Sequence, residues 1–185
     1  MINEHCLLLL TQPNSGSTAM ADFVSKSEAV CKLHDRYGGQ WLVPGLCDND
    51  RWYEDKFINY DSVRFCWHSK LSKINIKRKY KYVFEKSPPN LVRFKEIINM
   101  FEKTTVVVTN RNPFATIASQ FHRYRKLDYG NCNHEDVVHF LTNKWIERSN
   151  LLKLACEENK FPLVTYEDFC DRPLLLVEKF KLPKY

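Results

Sequence analysis

The sequence predicts an α/β fold, a three-layer sandwich in which helices cover both faces of a central, mostly parallel sheet. Three observations carry this. The segments Cys6 to Thr11 and Thr104 to Thr109 are unbroken apolar or β-branched runs, the pattern of strands buried on both faces. Each of them enters a polar turn followed by a helical pattern. Strand-like and helical segments then alternate along the chain. The 185 residues are read as one domain, 1–185, and a domain of that size buries about 70% of its unfolded surface.

Taken in order, Cys6 to Thr11 is the first strand, ended by Pro13-Asn14-Ser15-Gly16. Ser17 or Thr18 caps the helix that follows, Ala19 to about Ser25. From Cys31 to Asn75 the chain is aromatic and irregular, with turn signals at Gly38-Gly39 and Pro44-Gly45, and no element boundary can be set. Lys81 to Phe84 reads as a strand and Glu85 to Pro89 as a loop. Leu91, Phe94, Ile97, Ile98 and Phe101 carry helical spacing. Thr104 to Thr109 is a strand, Asn110-Arg111-Asn112 a turn, and Pro113 stands where a first helical residue is favoured. Val137, Phe140, Leu141, Trp145, Leu152 and Ala155 describe one long amphipathic helix from His134 to about Glu158. Pro162 to Thr165 reads as a last strand and Leu174 to Phe180 as a last helix.

Composition narrows the class. The chain is 44% hydrophobic and 14% aromatic, which suits a packed core and excludes disorder. The net charge of +6 is compatible with a polyanionic ligand, an acidic substrate or nucleic acid. The basic run Lys77 to Lys81 reads as a solvated approach to a strand, and no nucleic-acid motif accompanies it. The seven cysteines, at 6, 31, 47, 66, 132, 156 and 170, form no C-x-x-C pair. Scattered cysteines, no Asn-x-Ser/Thr sequon and no signal or membrane-spanning segment predict a reduced, cytoplasmic protein.

Chemistry concentrates in two loops. Pro13 to Thr18 joins a strand to a helix, and its single glycine, serines and threonine can offer amides and hydroxyls to an anion. It reads equally as a plain turn with a serine cap. Gly16 is followed by Ser17 rather than lysine, and no glycine stands five residues earlier, which argues against a nucleotide-hydrolysing P-loop. Arg111 follows a buried strand, and Ser119 lies eight residues on, a little over two helical turns. The pair suits a phosphate, or else Arg111 pairs with a carboxylate and Ser119 packs a helix.

Together these segments resemble the sulfotransferases that use 3′-phosphoadenosine 5′-phosphosulfate (PAPS). Asn14-Ser15-Gly16-Ser17-Thr18 resembles their 5′-phosphosulfate loop, and Arg111 to Ser119 their 3′-phosphate motif. Glu85-Lys86-Ser87-Pro88 resembles an element of the carbohydrate and protein branch, and Val164 to Phe169 a tyrosine-glutamate-aspartate segment after a late strand. The resemblance implies a P-loop NTPase-like fold and in-line transfer of a sulfuryl group from PAPS to a hydroxyl or amine, without a metal, on a small-molecule or carbohydrate acceptor. It assigns the hydroxyls of Ser15, Ser17 and Thr18 to the phosphosulfate, and Arg111 and Ser119 to the 3′-phosphate. Where the family commonly carries a basic residue, this chain has Asn14, and Lys86 is the candidate to supply the charge. The candidate general bases are His34, Asp35 and His68, with Glu54 beside them, and Gly38-Gly39-Gln40-Trp41 stands where a glutamate is expected. Glu85 is expected to orient Lys86 or a backbone group. His122, Arg123 and Arg125 either contact an acidic acceptor or form a solvated helix end, and the aromatics Trp41, Trp52, Tyr53, Phe65 and Trp67 either stack on an acceptor or fill the core. A nucleotide or nucleoside kinase and a nucleotide-binding protein without catalysis are the alternatives.

Overall fold

The computed structural model describes residues 1–35, 37–77, 79–126 and 133–183; of residues 77 and 124–126 it describes the backbone alone. Cys132, Arg78 and the side chains of Lys77 and Arg125 therefore lie outside the described residues.

Four strands, β1 (Ile2–Leu10), β2 (Val30–Lys32), β3 (Tyr82–Glu85) and β4 (Phe101–Val108), form one sheet in the order β2-β3-β1-β4. Every pairing is parallel; Leu7 stands beside Phe84 on one side and Thr105 on the other. Among the described residues seven α-helices accompany it: α1 (Ser17–Val24), α2 (Tyr60–Lys77), α3 (Phe94–Asn99), α4 (Pro113–Lys126), α5 (His134–Asn159), α6 (Tyr166–Asp171) and α7 (Leu174–Lys179).

The three layers follow from the two-residue period of a strand. Cys6, Leu8 and Leu10 point to a core shared with Trp67 and Leu71 of α2, Ile97 of α3 and Leu152 of α5. Leu7 and Leu9 point the other way, onto Met20 and Val24 of α1, Phe169 of α6 and Leu176 of α7. Leu7, Leu8, Leu9 and Leu10 are all fully buried, and each such side chain stabilises the fold by roughly 1.5–3 kcal/mol. This arrangement sets the ends of β1, β3 and β4 side by side, where parallel sheets bind ligands.

Several expectations are corrected. The cap of α1 is Gly16, with no side-chain cap, rather than Ser17 or Thr18. The apolar series Leu91 to Phe101 is not one helix: Pro88–Val92 is a 3-10 turn, Arg93 breaks the chain at φ −146°, α3 follows, and Phe101 opens β4. Pro162 to Thr165 makes a single parallel bridge, Leu163 with Val108, instead of a strand. Thr165 is drawn away to cap α6, where its hydroxyl accepts from the Asp168 amide and the Asp168 carboxylate accepts from the Thr165 amide. In the unassigned stretch the structure places most of β2, a 3-10 turn at Gly39–Leu42 and all but the last two residues of α2.

Candidate active site

The loop after β1 is shaped by two left-handed residues, Asn14 (φ 60°) and Gly16 (φ 84°). Asparagine tolerates this region, and alternation of this kind turns backbone amides toward a common anion. Gly16 is required twice over, because a β-carbon there would also overlap the ring of Tyr166. Ser15 is fully buried. Its hydroxyl donates to the Gln12 carbonyl and lies 2.6 Å from Thr11 Oγ1, so it knits the loop together rather than facing a ligand as the resemblance implied. From outside, Gln120 of α4 donates to the Pro13 carbonyl and Arg111 to the Asn14 carbonyl.

Lys86 comes to this loop from the end of β3. The residue is 7% exposed, and its ammonium donates to Thr18 Oγ1 at 2.7 Å. Burial pushes its pKa below the ordinary value, with Glu85 and Asp22 partly opposing. Glu85, the residue before Lys86, serves the neighbouring backbone. Its fully buried carboxylate accepts from the backbone amides of Gly39 (2.6 Å) and Ser87 (2.8 Å) and from Asn90 Nδ2 (3.0 Å). Ser87 Oγ in turn accepts from the Gln40 amide, and Trp67 Nε1 donates to the Gly39 carbonyl. The glycine pair is there for space: a β-carbon on Gly38 would crowd Ser87, and one on Gly39 would stand 2.8 Å from Glu85 Oε2. The start of the Gly39–Leu42 turn is thus clamped onto the Glu-Lys-Ser-Pro element, and Tyr37, Gln40 and Trp41 line one cleft with the loop.

Arg111 stacks its guanidinium 4.6 Å from the centroid of the Tyr166 ring. Its Nε is buried with no hydrogen-bond partner among the described residues. Ser119 is exposed on α4. One cleft of about 600 Å³ is lined by Asn14, Gly16, Ser17, Thr18, Lys86, Arg111 and Ser119 together. The predicted donor residues other than Ser15 are therefore brought to one place.

The predicted bases are not. His34 accepts from the Tyr37 amide at 3.1 Å, and Asp35 is exposed. His68 is exposed on α2, one residue past the buried Trp67. None of the three lines the cleft, and neither does Glu54; among the described residues lining it there is no Asp, Glu or His. No cluster of His, Cys, Asp or Glu able to hold a metal occurs among the described residues. Of the aromatics, Trp67 is core, Phe65 is exposed on α2, and Trp41 and Trp52 line the cleft with Arg51 and Arg123. The sequence carries Tyr166 only as part of the Val164 to Phe169 segment and gives no sign of its place beneath both Gly16 and Arg111.

A cleft at the carboxyl ends of parallel strands, bordered by a strand-to-helix loop, a buried lysine and an arginine, lies where open α/β sheets bind their ligands. The sequence model of the Sulfotransferase family matches residues 46–179, and the chain belongs to that family. Lys86, Arg111, Ser119 and Tyr166 fall within the matched stretch; the Asn14 to Thr18 loop precedes it. Solved structures share the fold at low identity. Sulfotransferase STF9 from Mycobacterium avium is 13% identical over 99% of this chain and 65% of its own, with a TM-score of 0.70. A sulfotransferase from Alicyclobacillus acidocaldarius is 9% identical over 96% of this chain and 81% of its own, with a TM-score of 0.64. The sulfotransferase domain from the curacin biosynthetic pathway is 15% identical over 100% of this chain and 76% of its own, with a TM-score of 0.58. No curated protein matches the sequence significantly. No helix among the described residues is long and apolar enough to cross a membrane.

Proposed function

We propose that this single domain transfers a sulfuryl group from PAPS to a hydroxyl or amine of an acceptor, carbohydrate included, without a metal and in the cytoplasm. The observation that carries the reading is the convergence of Lys86, bonded to Thr18, with Arg111 and Ser119 on one cleft. The loop amides with Ser17 and Thr18 would hold the 5′-phosphosulfate, and Arg111 and Ser119 the 3′-phosphate. As the acceptor oxygen or nitrogen bonds to sulfur, the bond from sulfur to the 5′-phosphate oxygen breaks and the acceptor proton passes to solvent. Lys86 would neutralise the charge gathering on the departing phosphate, the place that Asn14 leaves without a cation.

The test is thermal stabilisation by 3′-phosphoadenosine 5′-phosphate against AMP and ATP. A ligand at a hundredfold excess over its Kd stabilises by about 2.7 kcal/mol, roughly 5–10 °C for a domain of this size. The expected result is that shift for the 3′-phosphorylated nucleotide and a smaller one for AMP. Equal shifts would overturn the assignment of Arg111 and Ser119. A second reading, a nucleotide-binding protein without turnover, draws on the lining that lacks carboxylate and imidazole among its described residues. Transfer of labelled sulfate from PAPS to any acceptor excludes it.

A further inference from the structure

Beside the first cleft lies another, of about 530 Å³, and the two share Pro13, Asn14, Arg51, Trp52 and Arg123. We infer that this second cleft seats the acceptor, and that the acceptor is an acidic oligosaccharide. The inference rests on the sulfotransferase reading of the neighbouring cleft, whose loop residues Pro13 and Asn14 form the common rim. A chain seated in the second cleft therefore reaches the loop with one of its hydroxyls.

The lining chooses the ligand class. Among the described residues lining this cleft, Arg51, Arg123, Lys144 and Arg148 stand against one acid, Glu147, which is paired with Lys144 at 2.7 Å. A cleft with that balance attracts anions and repels cations. Arg148 is preorganised, with its guanidinium 4.0 Å from the centroid of the Trp52 ring, and a planar guanidinium suits carboxylate or sulfate. Phe140 was expected in the core of α5 on its periodicity, yet it is 51% exposed and opens into this cleft. Tyr53 joins it as a second exposed ring. Cations interleaved with rings suit a ligand whose units each carry an apolar face and a charged substituent, which describes a uronic-acid-containing oligosaccharide. An extended acidic peptide fits less well. The described lining comes from the loop residues Pro13 and Asn14, α4, α5, residues 49–53 and Val92, with no strand among them to pair with a peptide backbone.

The test measures binding of a hexasaccharide of alternating glucuronate and N-acetylglucosamine against an uncharged N-acetylglucosamine hexamer, with 3′-phosphoadenosine 5′-phosphate present. Roughly tenfold tighter binding of the acidic chain is expected, an advantage that shrinks as salt rises. Arg148→Gln and Phe140→Ala should each weaken the acidic chain by roughly fivefold while the melting temperature and nucleotide affinity stay near wild type. Equal binding of the two hexamers overturns the inference, as does undiminished binding by both variants. Displacement of the acidic chain by the nucleotide overturns it too, by placing that chain in the first cleft. Tighter binding of a glutamate-rich peptide of equal charge would assign the cleft to a protein acceptor instead. Failure of the wild-type protein to bind the nucleotide counts against the donor reading alone, since the oligosaccharide arms still report on the second cleft.

Discussion

The Lys86 ammonium and the Thr18 hydroxyl meet at 2.7 Å, joining the end of β3 to the first turn of α1. The contact puts a buried cation at the mouth of a loop that has none of its own. Lys86→Ala should lower turnover by at least roughly 100-fold, the scale of losing one preorganised charge-stabilising donor. Binding of 3′-phosphoadenosine 5′-phosphate should be largely spared, because Arg111 and the loop remain. Near-normal turnover in this variant would end the role given to Lys86.

Burial holds the Lys86 pKa below its ordinary 10.5. The charged form is the useful one, so activity is present below that lowered pKa and is lost as pH rises through it. An anionic nucleotide favours the charged form, so the alkaline limb of kcat/KM, which reports the free enzyme, should fall at lower pH than that of kcat. In Lys86→Arg the residual activity should keep its plateau to higher pH. A limb unchanged by that substitution would assign it to another group.

Under the proposed function Arg111 would be the discriminating contact for the 3′-phosphate. Hydrogen bonds to charged groups contribute about 1.5–3 kcal/mol, so Arg111→Ala should cut the preference for the 3′-phosphorylated nucleotide over AMP by roughly tenfold or more. The ratio of the two affinities is the readout, because the lost bond to the Asn14 carbonyl loosens the loop for both ligands alike.

Gly16→Ala meets two penalties, a left-handed φ of 84° and overlap with Tyr166. The backbone share is about 1–2 kcal/mol. Adding Tyr166→Ala should recover the overlap share in denaturant unfolding and leave the backbone share, so the double variant should be more stable than additivity predicts. Strict additivity would show that the ring and the glycine are not in conflict.

Glu85→Gln replaces a carboxylate that accepts three hydrogen bonds with a group bearing its own N–H donors. One partner must then face a donor, at a cost of about 2–3 kcal/mol, or roughly 5–10 °C in melting temperature. The Gly38-Gly39 segment should loosen first, seen as faster hydrogen exchange at the Gly39 amide. Unaltered exchange there would mean the clamp is held by Ser87 and Trp67 instead.

The legible parts of the fold are those whose signal is local. Cys6 to Leu10 is apolar at every position because both faces of β1 are covered, and Pro113 marks the start of α4 by its missing donor and preset φ. Helix α2 escaped notice because Phe65 and Ile76 are exposed apolar residues that blur the stripe of Val63, Trp67 and Leu71. Strand β2 escaped because it has three residues. In the candidate site, Thr18, Lys86 and Arg111 are legible because each lies beside a turn whose chemistry can be read in a few residues, and Ser119 by its spacing of eight residues from Arg111. Their meeting could not be read, nor could the burial of the Ser15 hydroxyl.

The sequence by itself determined the parallel α/β architecture, the lysine-free loop and the family resemblance, since periodicity and short motifs are properties of neighbouring residues. Tertiary structure alone decided that Lys86 is the cation facing that loop, that Tyr166 supports Gly16 and Arg111, and that His34, Asp35 and His68 stand apart. Those relationships join residues tens of positions apart through the strand order β2-β3-β1-β4, and the free energy that fixes them is the burial of both sheet faces, not any local preference of the chain.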